Sequence, residues 1–127
     1  MSKIIFFEKF SQLLPKETML SFTITYGGLY LTTDGVIFDP NNLEINKFAN
    51  RGPKSKPAPL GYSKMVHEAF LVEFDQIAKV EVGSFKNLWK SIYTLRLYLK
   101  SGETLFFMMP KKETAEKWVK SIKTQIP

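Results

Sequence analysis

YTLRLYLKSGETLFFMMPKKETAEKWVKSIKTQIP, residues 93–127, reads as two strands followed by a helix. In its second half, apolar residues recur at i, i+3, i+4, i+7 and i+11, which is one continuous stripe along an α-helix. The stripe consists of Ala115, Trp118, Val119, Ile122 and Ile126. A lone helix with one apolar stripe must lie on another element, and Trp118 is its largest apolar side chain. We therefore predict that Trp118 is buried against the rest of the fold.

The first half of this stretch alternates like a half-buried strand, with leucines at 95, 97 and 99 on one face. Ser101-Gly102 is typical of a two-residue hairpin turn. Such a turn places Lys100 opposite Glu103, which is a favourable cross-strand pair.

The same register determines which apolar residues of the last strand face the core. It puts Phe106 and Met108 opposite the leucines and directs both inward. It leaves three apolar residues on the outer face, where they predict an interface patch: Leu105, Phe107 and Met109. The predicted cover of this patch is either the N-terminal segment or a second copy of the chain.

Upstream segments add more strands. GGLYLTTDGVIFDP, residues 27–40, predicts a hairpin around Asp34-Gly35, and SFTITY, residues 21–26, predicts a separate strand before Gly27-Gly28. AFLVEFDQIAKVEVGSF, residues 69–85, is β-rich with a break near Asp75-Gln76. Strands followed by one terminal helix predict a mainly β fold, a small open barrel that the helix closes.

The N-terminal segment IIFFEKFSQLL, residues 4–14, has apolar residues that share a face at helical spacing. They are Phe6, Phe10, Leu13 and Leu14. Residues 1–14 are therefore predicted to be an N-terminal extension with a helical segment, and this segment is one of the two candidate covers of the outer patch.

LLPKETMLSFTITYGGLYLTTDGVIFDP, residues 13–40, resembles the start of a GRAM domain or bacterial PH-like domain. The positions that match that motif are Leu14, Pro15, Glu17, Gly28, Tyr30, Leu31, Thr32, Phe38 and Pro40. Further on, VEFDQIAKVEV is similar to the family's strand before an Asp-x-Ile turn, here Asp75 and Ile77. The resemblance extends from about Leu13 to Ile126, and the match is poor over residues 41–64.

The resemblance implies one PH-like domain over residues 1–127, with about seven antiparallel strands in a partly open barrel capped by the terminal helix. It also implies a binding module for lipid headgroups, peptides or proteins. The predicted connection between the first two strands, Tyr26-Gly27-Gly28, contains no basic residue. No headgroup-binding residue is therefore carried over from the family.

The amino-acid composition limits the kinds of chemical site that this chain can form. The chain has 127 residues, no cysteine and one histidine, His67. We therefore expect no disulfide, no cofactor, no metal site and no enzymatic activity, in a protein of the reducing cytosol. The net charge of +6 favours anionic partners, or serves solubility alone.

Two loops are candidate binding elements. The first, residues 51–65, is rich in proline, and its basic residues Arg51, Lys54 and Lys56 either contact phosphates or lie in a solvated linker. The second, GSFKNLWKSIY at residues 83–93, mixes apolar and basic residues, as suits a bilayer interface. Its candidate contacts are Phe85, Lys86, Leu88, Trp89 and Lys90. The alternative is that its aromatic side chains fold back onto the barrel.

Together these patterns predict a non-catalytic adaptor that contacts an anionic membrane surface or a protein partner. It would be cytoplasmic, either free or peripheral to a membrane. The alternatives are a nucleic-acid-binding protein that uses its positive charge and a homo-oligomeric structural protein. Glutamates among the lysines of the last helix argue against nucleic acid.

Overall fold

The computed structural model describes residues 3–14, 25–40, 69–87 and 89–126. Its strands are β1 (Ile4–Leu14), β2 (Thr25–Thr32), β3 (Gly35–Asp39), β4 (Phe70–Glu73), β5 (Ile77–Asn87), β6 (Lys90–Leu99) and β7 (Thr104–Met109). One turn of 3-10 helix, Phe74–Gln76, separates β4 from β5, and the helix α1 (Lys112–Lys123) follows β7.

The seven strands form one antiparallel sheet in the order β4-β3-β2-β1-β7-β6-β5. Its two edge strands are consecutive in sequence, and the 3-10 turn joins them. At this turn the N–H of Phe74 donates to the carbonyl of Asp34, and the N–H of Lys100 donates to the carbonyl of Gln76. Opposite halves of the sheet thus meet here, and the sheet curls without closing. The predicted mainly β fold, with about seven strands and a C-terminal helix, is confirmed.

The helix α1 packs on the inner face of this sheet. Its apolar stripe is buried as predicted from Ala115 to Ile122, Ile126 beyond its end is half-buried, and Trp118 is 0% exposed. The Trp118 ring meets the Phe6 ring of β1 edge to face, with centroids 4.8 Å apart. The β2–β3 hairpin adds four core residues that share a face: Leu29, Leu31, Val36 and Phe38.

The β6–β7 turn differs from the prediction by one residue. The N–H of Leu99 donates to the carbonyl of Glu103, so three residues, 100–102, form the turn. Gly102 has a φ of 98° and closes it by donating its N–H to the carbonyl of Leu99. This is a type I turn with a glycine bulge, the usual geometry of three-residue hairpin loops. Lys100 therefore does not pair with Glu103.

One residue of shift exchanges the two faces of β7, because side chains alternate with a period of two. Leu97 pairs with Leu105, and Leu95 pairs with Phe107. The predicted interface patch is therefore wrong, since its residues are core residues, exposed by at most 3%: Leu105, Phe107 and Met109. Phe106 and Met108 lie on the outer face and are half-buried.

The predicted N-terminal helix is also wrong, because β1 is a strand in the middle of the sheet. It pairs with β2 along most of its length and with β7 through residues 12–14. Phe6 faces the core, whereas Phe7 lies against Tyr30 on the outer face. Short apolar runs fit helical and strand spacing about equally, and pairing on both sides selects the strand.

Gly27-Gly28 is not a turn either, since both residues lie inside β2. Gly28 pairs with Asp39, and a Cβ at Gly27 would overlap the Asp39 carbonyl oxygen. Glycine thus serves the close approach of β3. The connection from β1 to β2 spans residues 15–24, outside the described residues. The loop at 51–65, with Arg51, Lys54 and Lys56, also lies outside them.

The burial of Trp118 makes a quantitative prediction. We expect Trp118→Ala to lower the free energy of unfolding by roughly 3–5 kcal/mol, the usual cost of emptying a large aromatic site. Urea denaturation measures it. The matched control is Trp89→Ala, where the side chain is 97% exposed and the expected change is within about 0.5 kcal/mol. Equal losses in the two variants would contradict the buried position of Trp118.

The positive φ of Gly102 gives a second prediction. Nothing lies within 4 Å of a Cβ placed there, so Gly102→Ala adds backbone strain without a clash. We expect a loss of about 1–2 kcal/mol in denaturant unfolding. Lys100→Ala in the same turn is the control and should change little, because the Lys100 side chain is exposed. A neutral Gly102→Ala would mean that the three-residue turn is wrong.

Candidate functional site

The hairpin of β5 and β6 is longer than the strand beside it. Pairing between β6 and β7 reaches only Tyr93 opposite Met109. Pairing between β5 and β6 continues to Asn87 opposite Lys90. Residues 84–92 therefore form a two-stranded arm, hereafter the arm, which extends beyond β7 by about 10 Å at ~3.3 Å per residue.

Trp89 occupies the tip of the arm. Residues 88 and 89 connect Asn87 to Lys90, and the Trp89 side chain is 97% exposed. Because this side chain is exposed, the alternative prediction, that Trp89 folds back onto the barrel, is wrong. An exposed tryptophan is unusual, because it carries one of the largest apolar surfaces of any residue. The Leu88 side chain lies outside the described residues.

Lysines flank the tip. Lys86 and Lys90 are both exposed, and Lys86 Nζ donates to Ser91 Oγ at 2.8 Å across the arm. Residues 84–92 contain no acidic side chain. The arm therefore presents one large aromatic ring between two positive charges, as the sequence predicted for Lys86, Trp89 and Lys90.

Phe85 has a different position from the one predicted. It lies opposite Ile92 in the arm and is half-buried, while Ile92 is 9% exposed. Alternation places this pair on one face of the arm and the Lys86–Ser91 pair on the other. Phe85 thus lies on one face of the arm, paired with Ile92, and does not form its tip.

The strands that continue into the arm are held on both faces of the sheet. On the outer face, Glu81 of β5 accepts hydrogen bonds from Arg96 at 2.8 Å and from the Tyr98 hydroxyl at 2.5 Å. Lys79 Nζ lies 3.2 Å from the other Glu81 oxygen. The Tyr98 hydrogen bond first, and then the Arg96 hydrogen bond, lower the pKa of Glu81 to about 2. On the inner face, apolar side chains of both strands pack against the core.

This network was missed by sequence analysis, because its members are distant in sequence. Glu81 faces Arg96 only once the β5–β6 register is known. A hairpin tip was predicted between Phe85 and Lys90, but the turn itself was not located. Leu88-Trp89 lacks the Asn, Asp or Gly residues that mark two-residue turns.

A second exposed apolar site lies on β1. Ile5 and Phe7 are 49% and 46% exposed, and the Phe7 ring lies 5.6 Å from the Tyr30 ring. Both side chains are half covered by the fold, unlike Trp89. The arm is therefore the stronger candidate site.

Metal chemistry has no visible basis in the described residues, which contain no cluster of three or more potential His, Cys, Asp or Glu ligands. His67 lies outside them. None of the helices in the described part of the chain is both long and apolar enough to cross a bilayer.

Comparisons with known proteins add no assignment. No model of a known protein family matches the sequence, and no curated protein matches it. The resemblance to GRAM and PH-like domains therefore stays a prediction, and the function must be argued from the arm itself.

The pKa of Glu81 tests how the base of the arm is held. With a folded-state pKa of about 2, below the ordinary 4.5, the carboxylate contributes its full stability above pH 4.5. That contribution is lost as the pH falls from there through 2. We expect Tyr98→Phe to raise the pKa of Glu81 towards its ordinary value, as measured by NMR titration of the side-chain carboxyl.

Lys79→Ala is the control for this titration. It leaves the Tyr98 and Arg96 hydrogen bonds in place, so the pKa of Glu81 should rise less than in Tyr98→Phe. If Tyr98→Phe titrates like the unmodified protein, the hydroxyl does not hold this carboxylate.

Proposed function

We propose that this chain is a non-catalytic binding module that docks onto an anionic membrane surface through the tip of the arm. The observation that carries the proposal is the 97% exposure of Trp89 between Lys86 and Lys90. An open sheet of seven strands with a terminal helix is also what the GRAM or PH-like resemblance implies. Membership of that family is part of the proposal.

The tryptophan and the lysines at the tip suit two different contacts with a bilayer. A tryptophan ring has an apolar body and an N–H group, and it prefers the headgroup level. A lysine near an anionic leaflet contributes about 1 kcal/mol, and salt screens that contribution within a Debye length. We therefore expect binding with a salt-sensitive part from Lys86 and Lys90 and a salt-insensitive part from Trp89.

The arm is suited to docking because it is preorganised. The Glu81 network joins β5 to β6 on one face of the strands that continue into the arm, and Val82 and Tyr93 pack against the core on the other. A rigid arm loses little conformational freedom when it binds, so more of the interaction energy appears as affinity.

The size of the tip favours a membrane over a protein partner. Stable protein interfaces bury about 800 Å² on each partner, around a central apolar cluster with a polar rim. The tip offers one exposed aromatic ring with no described apolar neighbour as exposed as itself. A bilayer needs no shape-matched pocket, and one ring with two cations can act on it.

Vesicle binding tests this proposal. We expect the protein to co-sediment with phosphatidylcholine vesicles that contain phosphatidylserine, and to bind weakly to phosphatidylcholine alone. Lys86→Glu/Lys90→Glu should abolish the binding, because it replaces two attractions with two repulsions. Trp89→Ala should weaken it at every salt concentration.

The matched control for the charge reversal is Lys100→Glu/Lys120→Glu, which makes the same charge change at exposed positions on the β6–β7 turn and the helix. It should weaken the binding by several-fold through net charge at a distance, far less than Lys86→Glu/Lys90→Glu. If the unmodified protein ignores anionic vesicles, the membrane proposal fails and a protein partner for the arm becomes the better account. If the control loses as much binding as Lys86→Glu/Lys90→Glu, net charge and not the arm is responsible.

A further inference from the structure

The helix α1 begins beside the base of the arm. The last β7 residue, Met109, lies opposite Tyr93, at the point where the arm leaves the sheet. Lys111 follows two residues later. Chain length alone keeps its Cα within about 20 Å of the Ser91 Cα, since paired strands are about 5 Å apart and each residue spans at most 3.8 Å.

Strand alternation shows which face of the arm looks towards this helix end. Val82 and Tyr93 pack against the core that α1 covers. Lys86 is four residues after Val82 in β5, and Ser91 is two residues before Tyr93 in β6. Lys86 and Ser91 therefore lie on the face on which α1 begins.

This end of the helix is basic and solvent-exposed. Lys111 and Lys112 are both exposed. Glu113 is the one acidic residue between Thr104 and Ala115. On sequence alone these lysines belong to an ordinary polar helix face; the register of β6 with β7 shows that the helix start follows the strand end opposite the base of the arm.

We infer that Lys111 and Lys112 form, with Lys86, a basic rim on the helix side of Trp89, and that this rim binds phosphates of the same anionic leaflet. The inference rests on the proposed function and adds two residues to the docking surface. Its chemistry is charge complementarity: lysine ammonium groups act as cationic contacts for phosphate.

The rim would also give the docked protein an orientation. Lys90 is the one lysine on the Phe85–Ile92 face of the arm, whereas the helix side carries Lys86, Lys111 and Lys112. The molecule should therefore lean towards its helix side, and the start of α1 should approach the headgroups more closely than its end.

The experiment compares two neutralised lysine pairs on the same segment of chain. Lys111→Gln/Lys112→Gln removes the rim at the start of α1, and Lys120→Gln/Lys123→Gln removes the same charge near its end. Both are measured on the full chain by co-sedimentation with vesicles of phosphatidylcholine and phosphatidylserine, over a series of salt concentrations. Circular dichroism melts establish that each variant is folded.

We expect the first pair to weaken the affinity about 25-fold, from two lysines near the surface, and to flatten its salt dependence. The second pair should weaken it only a few-fold, through net charge at a distance. If the unmodified protein binds and depends on Trp89, but both pairs behave alike, the rim is overturned and the docking of the arm stands. If the unmodified protein does not bind, the proposed function fails and the rim fails with it.

Discussion

The packing of Trp118 against the inner face of the sheet is the interaction on which the remaining structure depends. The Phe6 ring lies edge to face with Trp118, and Lys117 Nζ lies 4.2 Å from the centroid of the Phe6 ring. Phe6 belongs to β1, which lies between the β2–β4 half and the β5–β7 half of the sheet. A helix at the end of the chain thus joins its first strand to its last three. Without this helix, the inner face of an open sheet would be exposed to water.

The same packing makes an exposed arm possible. A two-stranded hairpin alone is marginally stable in water. Here the arm continues strands whose inner side chains belong to the core, while Glu81 joins Arg96 and Tyr98 on the outer face. The arm can therefore carry an unburied tryptophan without folding back, because its base is fixed from both sides. A stable core supports a tip that makes no contribution to that core.

The β2–β3 and β6–β7 hairpins show that an error in register changes the faces of side chains only when it is an odd number of residues. A turn at Asp34-Gly35 would put Thr33 opposite Val36, whereas the structure pairs Leu31 with Val36. That difference is two residues, so every side chain keeps its predicted face. In the β6–β7 hairpin the difference is one residue, so every side chain of β7 lies on the face opposite to the one predicted. Gly102, with its positive φ, takes the third position of that turn and is the physical cause.

The sequence by itself determined the mainly β class with a terminal helix and the burial of Trp118, because periodicity and helix spacing are local properties; the count of about seven strands came from the GRAM or PH-like resemblance. It also identified Lys86, Trp89 and Lys90 as a candidate contact. Tertiary structure alone decided that residues 4–14 form a strand, since their apolar pattern fits two periods and only neighbours on both sides select one. Tertiary structure likewise decided the inward face of β7 and the exposure of Trp89. It also brought the end of β7 opposite Tyr93, two residues before Lys111, and that pairing between strands is not specified by local sequence.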